Sequence, residues 1–169
     1  MNYWKLFYHI TFAVKKRLPL IVGDVEPRFH HAIEAKACEL GATVYAVGGI
    51  EDHVHLAVAV PPSISLSNFI GQVKGNSSHF MNHVLCPSYN FEWQDGFGVV
   101  SFGPKQLQYV IDYIRNQRRH HQTNSTHIGL EPFDENETGN HKIAENSASY
   151  GWAYSDFDDP LTWSDVPEC

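Results

Sequence analysis

His53 and His55 stand one residue apart in the stretch EDHVHLAVAV, residues 51–60. Successive side chains of a strand point to opposite faces, so the two histidines share a face while Val54 points away. Two imidazoles on one face can bind a single metal ion. The plainer alternative is a partly exposed strand end where two histidines happen to fall. A second pairing lies in YIRNQRRHH, where Tyr113 and Gln117 are four apart and would lie on one helical face. A phenol has a pKa of about 10 and is a weak nucleophile at neutral pH unless activated. A metal that polarises the group under attack would compensate for this. Gln117 offers a carbonyl oxygen that could complete the coordination, and Arg115, Arg118 and Arg119 surround the pair with positive charge. Each residue alone has an ordinary explanation: a core or rim tyrosine, and arginines on a solvated face. Tyr109, one turn earlier, is an equal candidate by spacing. A third pairing, His79 and His83, could suggest structural zinc, but no thiolates stand near it.

These side chains need elements to hold them. Residues 4–14 are rich in aromatic and β-branched residues and read as a strand. Residues 25–40 carry Phe29, Ile33, Ala37 and Leu40 at helical period, with Gly41 as the stop. Residues 42–50 form a second strand, which a short turn joins to the third in a hairpin. A helix capped by Ser65 follows, with Leu66, Phe69, Ile70 and Val73 on one face. FGVVSFG is a fourth strand, and residues 104–121 a last helix with Pro104 near its start. The order β-α-β-β-α-β predicts an α+β, ferredoxin-like split βαβ sheet with helices on one face, plus the added C-terminal helix.

The 169 residues suit one domain with an appendage. No apolar run is long enough to cross a membrane. The first residues read as a strand instead of a signal peptide. Three cysteines without CxxC spacing fit a reducing cytosol better than a disulfide framework. The net charge of −7 divides unevenly. Residues 1–127 carry 11 Lys and Arg against 9 acids, and residues 128–169 carry 1 against 10. A mildly basic body of +2 is thus joined to a tail of −9. That asymmetry points to nucleic acid for the body and to a shielding or interaction role for the tail. Residues 1–127 are therefore expected to form the functional domain, and 128–169 an acidic, partly disordered or loosely docked tail that includes Trp152, Tyr154, Phe157 and Trp163.

The stretches DHVHL, VKGNSSHF, FEWQDGFGVVSF and YIRNQRRHH, in that order, resemble the single-tyrosine HUH transposases of the family named after insertion sequences 200 and 605. That family includes the tyrosine transposases associated with repeated palindromes. The resemblance covers roughly residues 5–122. It implies that His53 and His55 are the paired metal-binding histidines, Gln117 a third ligand and Tyr113 the nucleophile. It implies a divalent metal, Mg²⁺ or Mn²⁺, as cofactor. The implied partners are single-stranded, hairpin-forming DNA and a second copy in a homodimer, in the bacterial cytoplasm. Lys74, in KGNSS, falls where the pattern suggests a DNA contact, and Arg115, Arg118 and Arg119 are further candidates. The family pattern has no counterpart for the tail.

The chemistry implied is transesterification, in which Tyr113 forms a 5′-phosphotyrosine and frees a 3′-OH that can later reseal the strand. The rival from another class is a non-catalytic or domesticated single-strand-binding module, since the same topology serves in RNA recognition by stacked aromatics. No clear RNP1 pattern is present, and the Tyr113/Gln117 pair would then have no role.

Overall fold

The computed structural model describes residues 4–86, 88, 90–127 and 129–131. Strands β1 (Phe7–Ala13), β2 (Thr43–Ile50), β3 (His53–Ala59) and β4 (Gly98–Phe102) form one sheet in the order β2-β3-β1-β4. Every neighbouring pair is antiparallel. Helix α1 (Val25–Glu39) links β1 to β2, and α2 (Leu66–Phe80) follows β3. The expected α+β, ferredoxin-like arrangement is therefore present. β2 and β3 close a tight hairpin across Glu51 and Asp52, with Ile50 opposite His53. Gly41 ends α1 with φ +81, a left-handed value that a side chain would oppose. Ser65 caps α2 by accepting the Asn68 N–H at 3.3 Å.

The two faces of the sheet differ in what covers them. On one face Ile10, Phe12, Val54, Leu56 and Val58 pack with Phe29 and Ile33 of α1 and Phe69, Ile70 and Val73 of α2. The added helix, expected as one piece over residues 104–121, covers the opposite face and is broken. A 3₁₀ turn (Pro104–Gln106) leads into α3 (Leu107–Arg115), and α4 (Gln117–Gln122) follows after Asn116. Asn116 leaves helical geometry at φ −103, ψ 18. Its side-chain amide donates to the Asp112 carbonyl at 2.8 Å, which is the local competition that makes asparagine a poor helix-interior residue. Helix α2 also ends earlier than its apolar pattern, in a π turn over Met81–Leu85. There Asn82 hydrogen-bonds both the N–H and the carbonyl of Phe91.

On this second face Val110, Ile111 and Ile114 of α3 meet Ala46 and Ala57 of the sheet. The seat is made of small residues, so the helix backbone comes very close to β2. A Cβ at Gly48 would lie 2.6 Å from the Ile114 carbonyl oxygen and 3.0 Å from its Cγ2. Gly48 also pairs with His55 in the ladder, so the same residue admits the helix and borders the histidine face. The tail reading falls largely on residues 132–169, outside the described residues; residues 129–131 return to the body.

The close approach yields a test. Gly48→Ala is expected to cost about 1–3 kcal/mol through overpacking, a fall of about 2–12 °C in Tm by circular dichroism. Gly71→Ala, in α2 with nothing within 4 Å of the new Cβ, should leave Tm unchanged or raise it.

Candidate metal and nucleophile site

The hairpin delivers His53 and His55 to the sheet face beneath α3, and both are fully buried. Val54 points into the opposite core, as the alternation requires. The exposed-strand-end reading is excluded by that burial. Each ring is held by a partner on its Nδ1. His53 Nδ1 donates to Asp52 Oδ1 at 2.7 Å, and Asp52 is in turn paired with Arg17 at 3.1 Å. His55 Nδ1 lies 3.0 Å from Nε2 of His9, a buried histidine of β1. Such partners select the tautomer and aim the Nε2 lone pair. Burial, reinforced by His55, pulls His9 down to about 3. Burial likewise brings His55 down to about 4, against the pull of Glu131. Both rings are thus neutral near pH 7, the form that binds a metal. Burial also lowers His53, but Asp52 and Glu131 outweigh it and leave it above its usual value.

From the facing helix, α3 contributes Tyr113, only 3% exposed. Its ring stands edge-on to His55 at 6.0 Å and stacks on His120 at 4.7 Å. The hydroxyl accepts the His127 N–H at 3.0 Å and donates to Glu131. Burial, then the Glu131 hydrogen bond, pushes the phenol well above its usual range. Tyr109, one turn earlier, is less buried than Tyr113, whose ring is the one that meets His55, so the two tyrosines that spacing left equivalent differ in their surroundings. Gln117, at the start of α4, is buried; its amide nitrogen reaches the Tyr113 carbonyl at 3.5 Å. One turn on, His121 points its Nε2 to within 3.4 Å of Glu131 Oε2.

Five buried atoms here have no hydrogen-bond partner: Nε2 of His53, His55 and His121, Oε1 of Gln117 and Oε2 of Glu131. An isolated buried polar atom costs about 1–3 kcal/mol, so such a concentration needs a reason. The donor set fits a divalent cation, since imidazole nitrogens, an amide oxygen and a carboxylate are all lone-pair donors. Among the described residues, ligand atoms of His53, His55 and Glu131 lie within 4.8 Å of one another. Burial opposes ionisation of Glu131, but His53 and His55 overcome it and hold the carboxylate far below its usual range.

The basic candidates are more scattered. Lys74 stands on α2, across the sheet from the histidines, and its ammonium donates to the carbonyls of Gln94 at 2.7 Å and Gly96 at 2.6 Å. Arg118 bridges Glu26 and Glu51. Arg115 is exposed on α3. Arg119 lines a cavity of about 530 Å³ beside Tyr113, with Tyr109, His120 and Thr123. The rings of His79 and His83 meet at 4.3 Å, tilted by 37°, on the surface, and neither belongs to the metal-capable group.

Sequence reasoning passed over His9, His121 and Glu131. His121 carried a signal, being four residues after Gln117 as Gln117 is four after Tyr113. His9 carried none, because its place depends on the register of β1 against β3. Glu131 lay beyond the domain boundary expected at residue 127.

Known proteins resemble this chain in sequence and in fold. A model of the IS200-like transposase family matches residues 2–117. The transposase for insertion sequence element IS200 of Salmonella typhimurium is 31% identical over 121 residues, covering 68% of this chain and 78% of the relative. The ISDra2 transposase TnpA of Deinococcus radiodurans is 30% identical over 120 residues, covering 68% and 85%. In fold, the chain is similar to a solved Deinococcus radiodurans transposase (TM-score 0.54, 24% identity, 69% of this chain and 95% of that one). It is also similar to a REP-associated tyrosine transposase bound to a REP hairpin (TM-score 0.54, 18% identity, 72% and 74%). No helix among the described residues is long and apolar enough to cross a membrane. The matched region runs from the first strand through His53, His55 and Tyr113 to Gln117, and the chain belongs to the IS200-like transposase family.

Proposed function

We propose that this transposase is a metal-dependent enzyme that cleaves and rejoins single-stranded DNA through a tyrosine nucleophile. The observation that carries the reading is the buried Tyr113 hydroxyl set beside His53, His55 and Gln117, whose inward lone pairs have no partner. Those three residues would hold the ion, Mg²⁺ or Mn²⁺. When bound, such an ion supplies Lewis-acid polarisation of the scissile phosphate. Tyr113 supplies the oxygen that bonds to phosphorus as the P–O3′ bond breaks. The products are a 5′-phosphotyrosine and a 3′-OH; the phenolic proton leaves Tyr113 and an equivalent proton ends on the 3′ oxygen. Attack by a 3′-OH on the phosphotyrosine reverses these changes, so rejoining needs no nucleotide cofactor. A non-catalytic binding module would gain nothing from five unpartnered polar atoms behind a buried tyrosine.

Asp52 and His9 are positioning residues in this reading, since each grips a ring by its Nδ1. Arg119, at the cavity beside Tyr113, is the best placed of the basic residues for a DNA phosphate, followed by the exposed Arg115. Lys74 and Arg118 enter only as secondary contacts, because their charges are already engaged. The hairpin bound to the REP-associated relative suggests hairpin-forming DNA as the substrate class here. Association into a homodimer in the bacterial cytoplasm completes the proposal; light scattering at micromolar concentration would detect the dimer.

Two outcomes are expected. Incubated with single-stranded DNA from the flanks of its own gene and Mn²⁺, the protein should form a covalent adduct resolved by denaturing electrophoresis. Tyr113→Phe should remove the adduct while DNA affinity stays within about twofold, a change worth about 0.4 kcal/mol. An adduct that survives Tyr113→Phe but disappears in Tyr109→Phe would reassign the nucleophile.

His9→Phe keeps an aromatic ring under α3 but frees His55 Nδ1. Loss of such a supporting hydrogen bond should weaken Mn²⁺ binding about 10–100-fold by calorimetry. Unchanged affinity would remove His9 from the positioning role.

A further inference from the structure

We propose that Glu131 is a fourth, anionic ligand of the metal centre and ties that centre to the nucleophile. The inference rests on the proposed metal-dependent reading and extends its ligand set beyond His53, His55 and Gln117. Three imidazole nitrogens converge on one carboxylate oxygen. Oε2 of Glu131 lies 3.4 Å from His53 Nε2, 3.6 Å from His55 Nε2 and 3.4 Å from His121 Nε2. These separations exceed normal hydrogen bonds, and all four atoms are buried without a hydrogen-bond partner. They match the spacing of neighbouring ligands on one ion. Two donors each about 2.1 Å from a metal stand about 3.0 Å apart at a right angle and about 3.4 Å apart at the tetrahedral angle.

Charge supports the assignment. Two neutral imidazoles and an amide would leave both charges of a divalent ion uncompensated in a buried site. A carboxylate halves that excess and adds the hard oxygen that Mg²⁺ and Mn²⁺ favour. The segment carrying Glu131 is also anchored. Leu130 is buried and its N–H donates to the His127 carbonyl at 2.8 Å, while the His127 N–H donates to the Tyr113 hydroxyl at 3.0 Å. The other carboxylate oxygen, Oε1, accepts the hydrogen bond of Tyr113. One side chain thus faces the histidine cluster with Oε2 and holds the phenol with Oε1.

The test is Mn²⁺ binding to the full chain without DNA, by calorimetry and by loss of the free Mn²⁺ electron-spin-resonance signal. Glu131→Gln preserves size and removes the charge; it should weaken Mn²⁺ at least about tenfold. Glu131→Asp, which keeps a carboxylate on a shorter arm, should fall between that variant and the native protein. His53→Ala should weaken binding too. If His53→Ala loses Mn²⁺ while both Glu131 variants bind it as tightly as the native protein, or more tightly, Glu131 is an occluding anion and the proposal fails with the metal centre intact. If His53→Ala also binds normally, the metal-dependent reading itself fails. Thermal unfolding of each variant separates a misfolded protein from a lost ligand, and the Asp variant keeps the comparison available should the Gln variant not fold.

Discussion

Three histidines buried side by side on one face of a small sheet set the terms for the rest of this structure. His9, His53 and His55 lie where a sheet of this size would ordinarily bury hydrocarbon. Nε2 of His53 and of His55 has no hydrogen-bond partner, and Gln117, His121 and Glu131 add three more atoms in the same condition. At about 1–3 kcal/mol for each such atom, the site opposes folding by an amount comparable with the net stability of a typical domain, about 5–15 kcal/mol. The protein accommodates this by dividing the work between its faces. Phe12, Phe29, Phe69, Phe91 and the aliphatic residues around them form a dry core beneath α1 and α2. The opposite face has only a small apolar seat around Val110, Ile111 and Ile114, just large enough to hold α3 in place.

That division explains why small residues line the α3 seat. Helix α3 must approach the sheet closely enough for Tyr113 to meet His55. Gly48, Ala46 and Ala57 allow the approach because they project little or nothing above the sheet. The break at Asn116 then starts a new helix with Gln117 and His121 on the side of the histidines. An uninterrupted helix would continue in one direction; the side-chain bond from Asn116 to Asp112 gives the chain a different one.

Electrostatics follow the same economy of placement. Asp52 serves two partners, the Arg17 guanidinium and the His53 ring, so its carboxylate reaches the site only through a ring nitrogen. Arg118 is spent on Glu26 and Glu51, which clamps α4 to the start of α1 and to the β2–β3 hairpin. Lys74 clamps α2 to the loop before β4. Much of the positive charge that looks like a DNA-facing surface in sequence is therefore engaged in holding elements together. Arg119, by contrast, lines the cavity beside Tyr113.

Local periodicity made most of the architecture legible. Alternation placed His53 and His55 on one face, Ser65 and Gly41 marked helix ends, and the order of elements implied the split βαβ sheet, because these features depend on neighbours a few residues apart. The pairing of Tyr113 with Gln117 was readable for the same reason. Burial was not readable: nothing local says that the histidine face is covered, since the cover comes from a helix more than fifty residues away. The choice between Tyr109 and Tyr113 depended on the rotation of α3 over the sheet. His9 could join the site only through the register of β1 against β3, and Glu131 only because residues 129–131 fold back onto Tyr113. Sequence determined which residues share a face, a property of helical and strand repeat. Tertiary structure decided which faces meet, because that depends on packing volumes and on contacts between segments whose separation along the chain carries no periodic signal.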